Sequence, residues 1–157
     1  MLIEILALIL LANAIPVLLA RLLGTHADWP LDSGLQLRQQ ALLGPSKTWR
    51  GLLGSLLFTP LFALLLGISA QQGLIIAALA MLGDLLSSFI KRRLRIAPSG
   101  MAPGLDQIPE SLFPALAMQQ QLGLEWGNVL IMVLMFIFIE LLLSRLGFIL
   151  RIRKRPY

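Results

Sequence analysis

The chain has no cysteine and a single histidine, His26. Without cysteine there is neither a disulfide framework nor a thiolate metal site. One histidine also excludes a multi-histidine metal site within one chain. Any bound metal must be held largely by oxygen ligands, which favours magnesium or a similar hard ion. Charge is scarce as well: 13% of the 157 residues are charged, against about 25% in a soluble domain. The first segment lacks a basic n-region, since Met1 is followed by Leu2-Ile3-Glu4. It has no clear cleavage site beyond the weak Ala12-Asn13-Ala14, so it is expected to be a retained helix rather than a removed signal. What fills the chain instead is apolar: 57% of residues are hydrophobic and mean hydropathy is +0.83. These values imply an integral membrane protein built as one bundle over residues 1–157.

Segments 2–23, 52–70, 74–90 and 128–149 are apolar for close to the length a spanning helix needs, about 20 residues. A fifth, 108–122, is shorter and carries Pro109, Pro114 and Gln119-Gln120-Gln121. Pro16 and Pro60 lie inside the first two segments, where neighbouring helices can re-satisfy the freed backbone. Gln71-Gln72-Gly73 reads as a tight turn between the second and third helices, and Gly123 to Asn128 as a turn between the fourth and fifth.

The fold expected is therefore all-α, a polytopic bundle of about five transmembrane helices. With five helices, all 13 Lys and Arg residues fall on one side or at the helix ends facing it: Arg21, Arg38, Lys47, Arg50, Lys91, Arg92, Arg93, Arg95, Arg145, Arg151, Arg153, Lys154 and Arg155. The positive-inside rule puts that side in the cytoplasm, with the N-terminus outside and the C-terminus cytoplasmic. Without the helix at 108–122, the C-terminal basic run would lie opposite the 91–107 loop.

Chemistry concentrates in three places. Gly83-Asp84-Leu85-Leu86-Ser87-Ser88-Phe89-Ile90-Lys91-Arg92-Arg93 ends an apolar run. Asp84, Ser88 and Lys91 stand at i, i+4 and i+7 and share one helix face. A carboxylate inside an apolar run is costly, and so is a functional-site candidate. Seven residues of rise put Asp84 about 10 Å from Lys91, well inside the apolar run; a structural pairing with Lys91 or Arg50 is the alternative role. Arg93 and Arg95 read as anchors at the membrane edge. The second place is Gly44-Pro45-Ser46-Lys47-Thr48-Trp49-Arg50-Gly51, leading into the second helix. Ser46 or Thr48 suits an N-cap, and a helix N-terminus beside Lys and Arg suits a phosphate. The same residues also suit a plain capped helix start with an interfacial tryptophan. The third place is Pro98-Ser99-Gly100-Met101-Ala102-Pro103-Gly104-Leu105-Asp106-Gln107, rich in turn formers. Asp106 can cap the next helix or share a divalent ion with Asp84.

Lys47-Thr48-Trp49-Arg50-Gly51, Gly83-Asp84 with Ser87-Ser88-Phe89-Ile90-Lys91-Arg92-Arg93, and Pro103-Gly104-Leu105-Asp106-Gln107 together resemble the CDP-archaeol synthase family, related to the CDP-diacylglycerol synthases. The resemblance runs from about Pro30 to Glu110. It implies an integral membrane cytidylyltransferase that joins CTP to a lipid phosphate and releases pyrophosphate, with magnesium as cofactor. By resemblance Asp84 and Asp106 bind the metal, and Asp84, Lys91 and Asp106 are catalytic. Ser46, Lys47, Thr48, Arg50, Ser88 and Arg92 would bind substrate. CTP, a lipid phosphate and membrane lipids are the implied partners. No nucleic-acid partner is expected, and nothing in the chain excludes a homo-oligomer. The site would face the cytoplasm from the cytoplasmic membrane.

The chain departs from the family pattern at two points. Arg38-Gln39-Gln40 stands near the place where many relatives have Asp-Gly-Arg, and Pro109-Glu110 where archaeal members tend to have another acid. Two alternatives stand beside this reading. One is the same chemistry on phosphatidate. The other is a non-enzymatic membrane carrier or assembly protein in which Asp84 and Lys91 form a buried structural pair.

Overall fold

The computed structural model describes residues 1–98 and 100–150. Ser99 and the basic run Arg151, Arg153, Lys154 and Arg155, read above as part of the topology signal, lie outside the described residues. The described chain forms α1 (Leu2–Leu23), β1 (Gln36–Leu37), β2 (Gln40–Ala41), α2 (Trp49–Leu65), α3 (Ala70–Arg93), α4 (Gln107–Leu122) and α5 (Trp126–Ile149). Three helices, α1, α3 and α5, are long and apolar enough to cross a membrane, and α2 is a shorter apolar helix. The expected all-α architecture holds apart from one antiparallel hairpin. In it Arg38 and Gln39, at φ of 51° and 62°, link β1 to β2, as a two-residue hairpin turn requires.

The turn expected at Gln71-Gln72-Gly73 is instead the first turn of α3. Ser69 and Gln72 form a reciprocal capping box there, which fixes the helix start at Ala70. The actual link is Leu66–Ser69, with Gly67 at φ 75°. Likewise α5 begins at Trp126, so only Gly123 to Glu125 turn, with Gly123 as the left-handed cap of α4.

Successive helices run antiparallel. The α1–α2 contact pairs Gly51 with Pro16 and Ser55 with Ala12. At the α2–α3 contact, a Cβ on Gly73 would lie 2.6 Å from Ala63 Cβ. Gly83 lets α3 approach α4 so closely that a Cβ there would lie 2.4 Å from the Pro109 carbonyl. Helix α3 packs on α1, α2 and α4, and α5 on α4 and α1. The buried apolar core comprises Ile5, Leu8, Ile9, Ala63, Ile76, Ala115, Met118, Met132 and Phe136. It fills the bundle end that holds the Leu66–Ser69 and Gly123–Glu125 links, neither of which carries a Lys or Arg. Buried polar residues gather nearer the other end: Ser87, Ser88, Lys91, Arg92, Gln107, Glu110 and Ser144. Burial of apolar side chains thus holds one end and leaves the other to charge. Many leucines on the outer faces stay exposed, among them Leu57, Leu61, Leu65, Leu130 and Leu142, as helices facing lipid require.

Candidate active site

The loop before α2 is folded by its own backbone. Leu31 N–H donates to Lys47 O at 2.8 Å and Trp49 N–H to Trp29 O at 3.0 Å, which ties residues 29–31 to 47–49. Asp32 accepts from the N–H groups of Gly34 (3.1 Å), Leu43 (2.9 Å) and Gly44 (2.9 Å). Burial opposes its ionised form, yet these donors win and hold the Asp32 carboxyl below its ordinary value. Gly44, at φ 100°, then turns the chain toward Lys47, and a Cβ there would lie 3.9 Å from the Arg92 side chain. Thr48 caps α2, its hydroxyl accepting from Gly51 N–H at 3.4 Å.

Lys47 reaches from this loop to the middle of the bundle. Its Nζ donates to both oxygens of Asp84, at 2.5 and 2.6 Å. Glu110, on the first turn of α4, interacts with both Asp84 and Lys47. Burial disfavours the Lys47 ammonium, but the carboxylates of Asp84, Glu110 and Asp106 outweigh it and raise its pKa above the usual lysine value. Three carboxylates from α3, α4 and the loop before α4 thus address one ammonium from the loop before α2.

Lys91 lies about two turns further along the same face of α3, too far to serve Asp84. It pairs with Asp106 Oδ1 at 2.6 Å and donates to Gly100 O at 3.3 Å. Asp106 does not cap α4 with its side chain. It has helical backbone angles, and its Oδ2 accepts from Ala102 N–H at 3.0 Å, closing the 102–106 turn. Arg92, 3% exposed, donates from Nη2 to Ala97 O at 3.0 Å. Its Nε and Nη1 are buried and have no hydrogen-bond partner among the described residues. Ser88 is buried on α3 four residues from Asp84.

The remaining sequence candidates lie outside this cluster. Arg50, considered as a partner for Asp84, turns the other way: it donates to Gly24 O and His26 O and pairs with Asp28 at 2.9 Å, pinning the end of α1. Its Nε is the donor not spent there. Ser46 is exposed in the turn before Lys47. Arg93, read as a plain anchor, does more. It donates to Leu37 O (2.7 Å), Gln40 O (3.3 Å) and Ala41 O (2.7 Å), and stacks on Phe89, clamping the hairpin to α3. Sequence reasoning left Glu110 open and passed over Glu140. Yet Glu140 is the lone charged residue between Glu125 and Arg145, the same signal that singled out Asp84.

Among the described residues no three carboxylates or imidazoles converge tightly enough to enclose a metal ion alone. What the arrangement offers is a set of hard oxygen donors at Asp84, Glu110 and Asp106, each within the influence of Lys47. Around them stand cationic side chains that can move from carboxylate to another anion. Such a set fits a magnesium-like ion that keeps several waters and shares ligands with phosphate.

Residues 62–157 match the family model described as CarS-like, CDP-archaeol synthase. The CDP-archaeol synthase of Hyperthermus butylicus is 41% identical over 106 residues, covering 63% of this chain and 60% of that protein. The one from Pyrococcus furiosus is 38% identical over 107 residues, 61% of this chain and 60% of its own. The Thermofilum pendens protein of the same name is 35% identical over 156 residues, 93% of this chain and 75% of its own. The chain therefore spans about three fifths of the length of the first two relatives. A solved structure, described as an intramembrane enzyme for archaeal membrane lipids biosynthesis, superposes with a TM-score of 0.69 at 29% identity. It covers 87% of this chain and 90% of its own.

Proposed function

The chain belongs to the CarS-like CDP-archaeol synthase family, and on that premise we propose that it transfers the cytidylyl group of CTP to a lipid phosphate. A lipid phosphate oxygen attacks the α-phosphorus of CTP, a new P–O bond forms, and the bond to the β-phosphate breaks to release pyrophosphate. The acceptor is the archaeal-type ether lipid phosphate, with phosphatidate as the alternative. One observation carries the reading most: Lys47 and Asp84, 37 residues apart, meet at 2.5 Å with Glu110 and Asp106 in the same field.

Asp84 and Asp106 would hold a magnesium ion, with Glu110 at its edge. When bound, the ion offsets the charge of the triphosphate and the leaving pyrophosphate. Lys47 and Lys91 are already poised beside these carboxylates and would pass to phosphate oxygens as the nucleotide enters. Arg92 brings two unspent guanidinium donors, suited to phosphate. Thr48 and Ser88 supply hydroxyls. Together with Lys47, Lys91 and Arg92 they stabilise oxygens that crowd together in the transition state, while Ser46 and Arg50, outside the cluster, would bind the substrate at its periphery. The attacking lipid phosphate is already anionic at neutral pH, so no strong general base is required.

In this reading all five helices cross the membrane as a single domain. The basic end, where Arg21, Arg50, Lys91 and Arg92 stand, faces the cytoplasm, where nucleotide is available, and the N-terminus lies outside. The test is pyrophosphate release from CTP by the purified protein. Release should require both magnesium and a lipid phosphate, and should fall at least a hundredfold in Asp84→Asn and Asp106→Asn. Undiminished release in both variants would refute the assigned carboxylate roles.

A further inference from the structure

Glu140 is an acid inside α5, a 24-residue helix of hydropathy 2.5. An ionisable side chain in such a helix carries a cost that needs a partner. Its partners include two groups near the site. Gln107 Nε2 donates to Glu140 Oε2 at 2.9 Å, and Ser144 Oγ donates to Oε1 at 3.0 Å. Gln107 is 4% exposed, and its other amide atom, Oε1, accepts from Gly104 N–H at 2.9 Å. Gly104 sits at φ 81° in the turn that ends at Asp106. The chain of contacts therefore runs from the Glu140 carboxylate through the Gln107 amide to the backbone of the loop carrying Asp106. Glu140 also acts electrostatically on Glu110, three residues beyond Gln107 on α4.

We propose that Glu140 is a positioning residue for the Asp106 loop, acting through Gln107. A planar amide presents its donor and acceptor on opposite sides. With Nε2 claimed by a carboxylate, only Oε1 is left to face the loop, so the Gly104 N–H has a fixed acceptor. A charge-assisted bond of this kind is about twice as strong as a neutral one. Loss of the carboxylate frees the Gln107 amide to rotate and loosens the 102–106 turn. Asp106 then no longer meets Lys91 in one geometry. The role in catalysis rests on the cytidylyl-transfer reading; the contact itself does not.

The experiment compares wild type with Glu140→Leu, Glu140→Gln, Gln107→Leu and the double variant Glu140→Leu/Gln107→Leu. Amide hydrogen exchange over residues 100–107 and pyrophosphate release from CTP are both read. Glu140→Leu should speed exchange in that loop at least tenfold while a peptide from the first half of α3 is unchanged. It should lower kcat at least tenfold with the KM for CTP within twofold. Glu140→Gln keeps an oxygen that can accept from Gln107 and should recover part of both; it also covers the case in which the leucine variant does not fold. The double variant should be no worse than Gln107→Leu. Unchanged exchange in both Glu140 variants, or losses that simply add in the double variant, would overturn the proposal. Faster loop exchange in a protein whose wild type releases no pyrophosphate would keep the positioning contact and refute the transfer reaction.

Discussion

Gly83 sets the distance between the two helices that carry most of the site, so Gly83→Ala is the sharpest perturbation available. In an open helix, replacing glycine by alanine stabilises by about 1 kcal/mol, because the chain loses less backbone freedom. At Gly83 the new Cβ would lie 2.4 Å from the Pro109 carbonyl carbon and oxygen and 2.6 Å from Glu110 N. All three are backbone atoms, which cannot rotate aside. Ordinary contact begins at about 3.4 Å, so α4 must retreat by about 1 Å. Overpacking of this kind costs about 1–3 kcal/mol, and the net effect is a loss of up to about 2 kcal/mol. For a chain of this size that lowers Tm by about 2–8 °C. Activity should suffer more, because α3 carries Asp84 and Lys91 while Asp106 and Glu110 begin α4. A displacement of about 1 Å between reacting groups is enough for a loss of about a hundredfold. Gly127→Ala is the control. Gly127 lies in the first turn of α5 with nothing within 4 Å of its would-be Cβ, so that variant should hold or raise Tm and keep full activity. Thermal unfolding and CTP turnover of the two variants in one detergent decide the matter. Equal Tm and equal turnover for both would refute the close-approach argument.

The Lys47–Asp84 pair should behave as a unit. Lys47→Met strands Asp84 beside Glu110 and should destabilise by about 3 kcal/mol, the low end for a broken buried pair because each side chain keeps about 20% exposure. Asp84→Asn should cost less, since Glu110 and Asp106 still face Lys47, and a double-mutant cycle should show coupling of about 1–3 kcal/mol. Acid stability should report Asp32. Its folded-state pKa is depressed, so its contribution is fully present above the unfolded value and is lost as pH falls through the lower, folded value. Asp32→Asn should therefore flatten the acid limb of a stability–pH profile below about pH 4; an unchanged limb contradicts the three N–H contacts. Arg93→Met should release the hairpin from α3 and expose residues 36–41 to limited proteolysis, leaving the helices resistant; equal cleavage rates would show that the clamp is dispensable.

Much of the fold was readable because the apolar runs are long and the polar groups few. The first segment, 2–23, matches α1 residue for residue, and the doubtful segment 108–122, where proline and glutamine obscured the pattern, is helical as α4, though it is not among the helices long and apolar enough to cross a membrane. The turn at Gln71–Gly73 was misplaced because glutamine and glycine look like loop residues, whereas the Ser69–Gln72 capping box had already fixed the helix start. At the site, Asp84 stood out as a lone acid in an apolar run. Its partner did not, because Lys47 arrives from 37 residues away and helical periodicity speaks only to neighbours on one helix. That same limit suggested Lys91 as a partner for Asp84, while the fold gives Lys91 to Asp106 and Arg50 to Asp28. Asp32, Arg93 and Gln107 act on backbone carbonyls and amides, and such contacts leave no residue pattern in a sequence. Glu140 carried the same intramembrane signal as Asp84 and was legible by that rule.

The central claim is tested most directly by offering labelled CTP to the purified protein with magnesium. Phosphatidate and geranylgeranylated glycerol phosphate are supplied in parallel, and lipid-soluble label is counted. The account predicts label in the lipid phase with at least one acceptor, strongest with the isoprenoid ether lipid. It also predicts no label with magnesium chelated or with Asp84→Asn. A folded protein that transfers no label to either lipid, and binds no CTP, would contradict it.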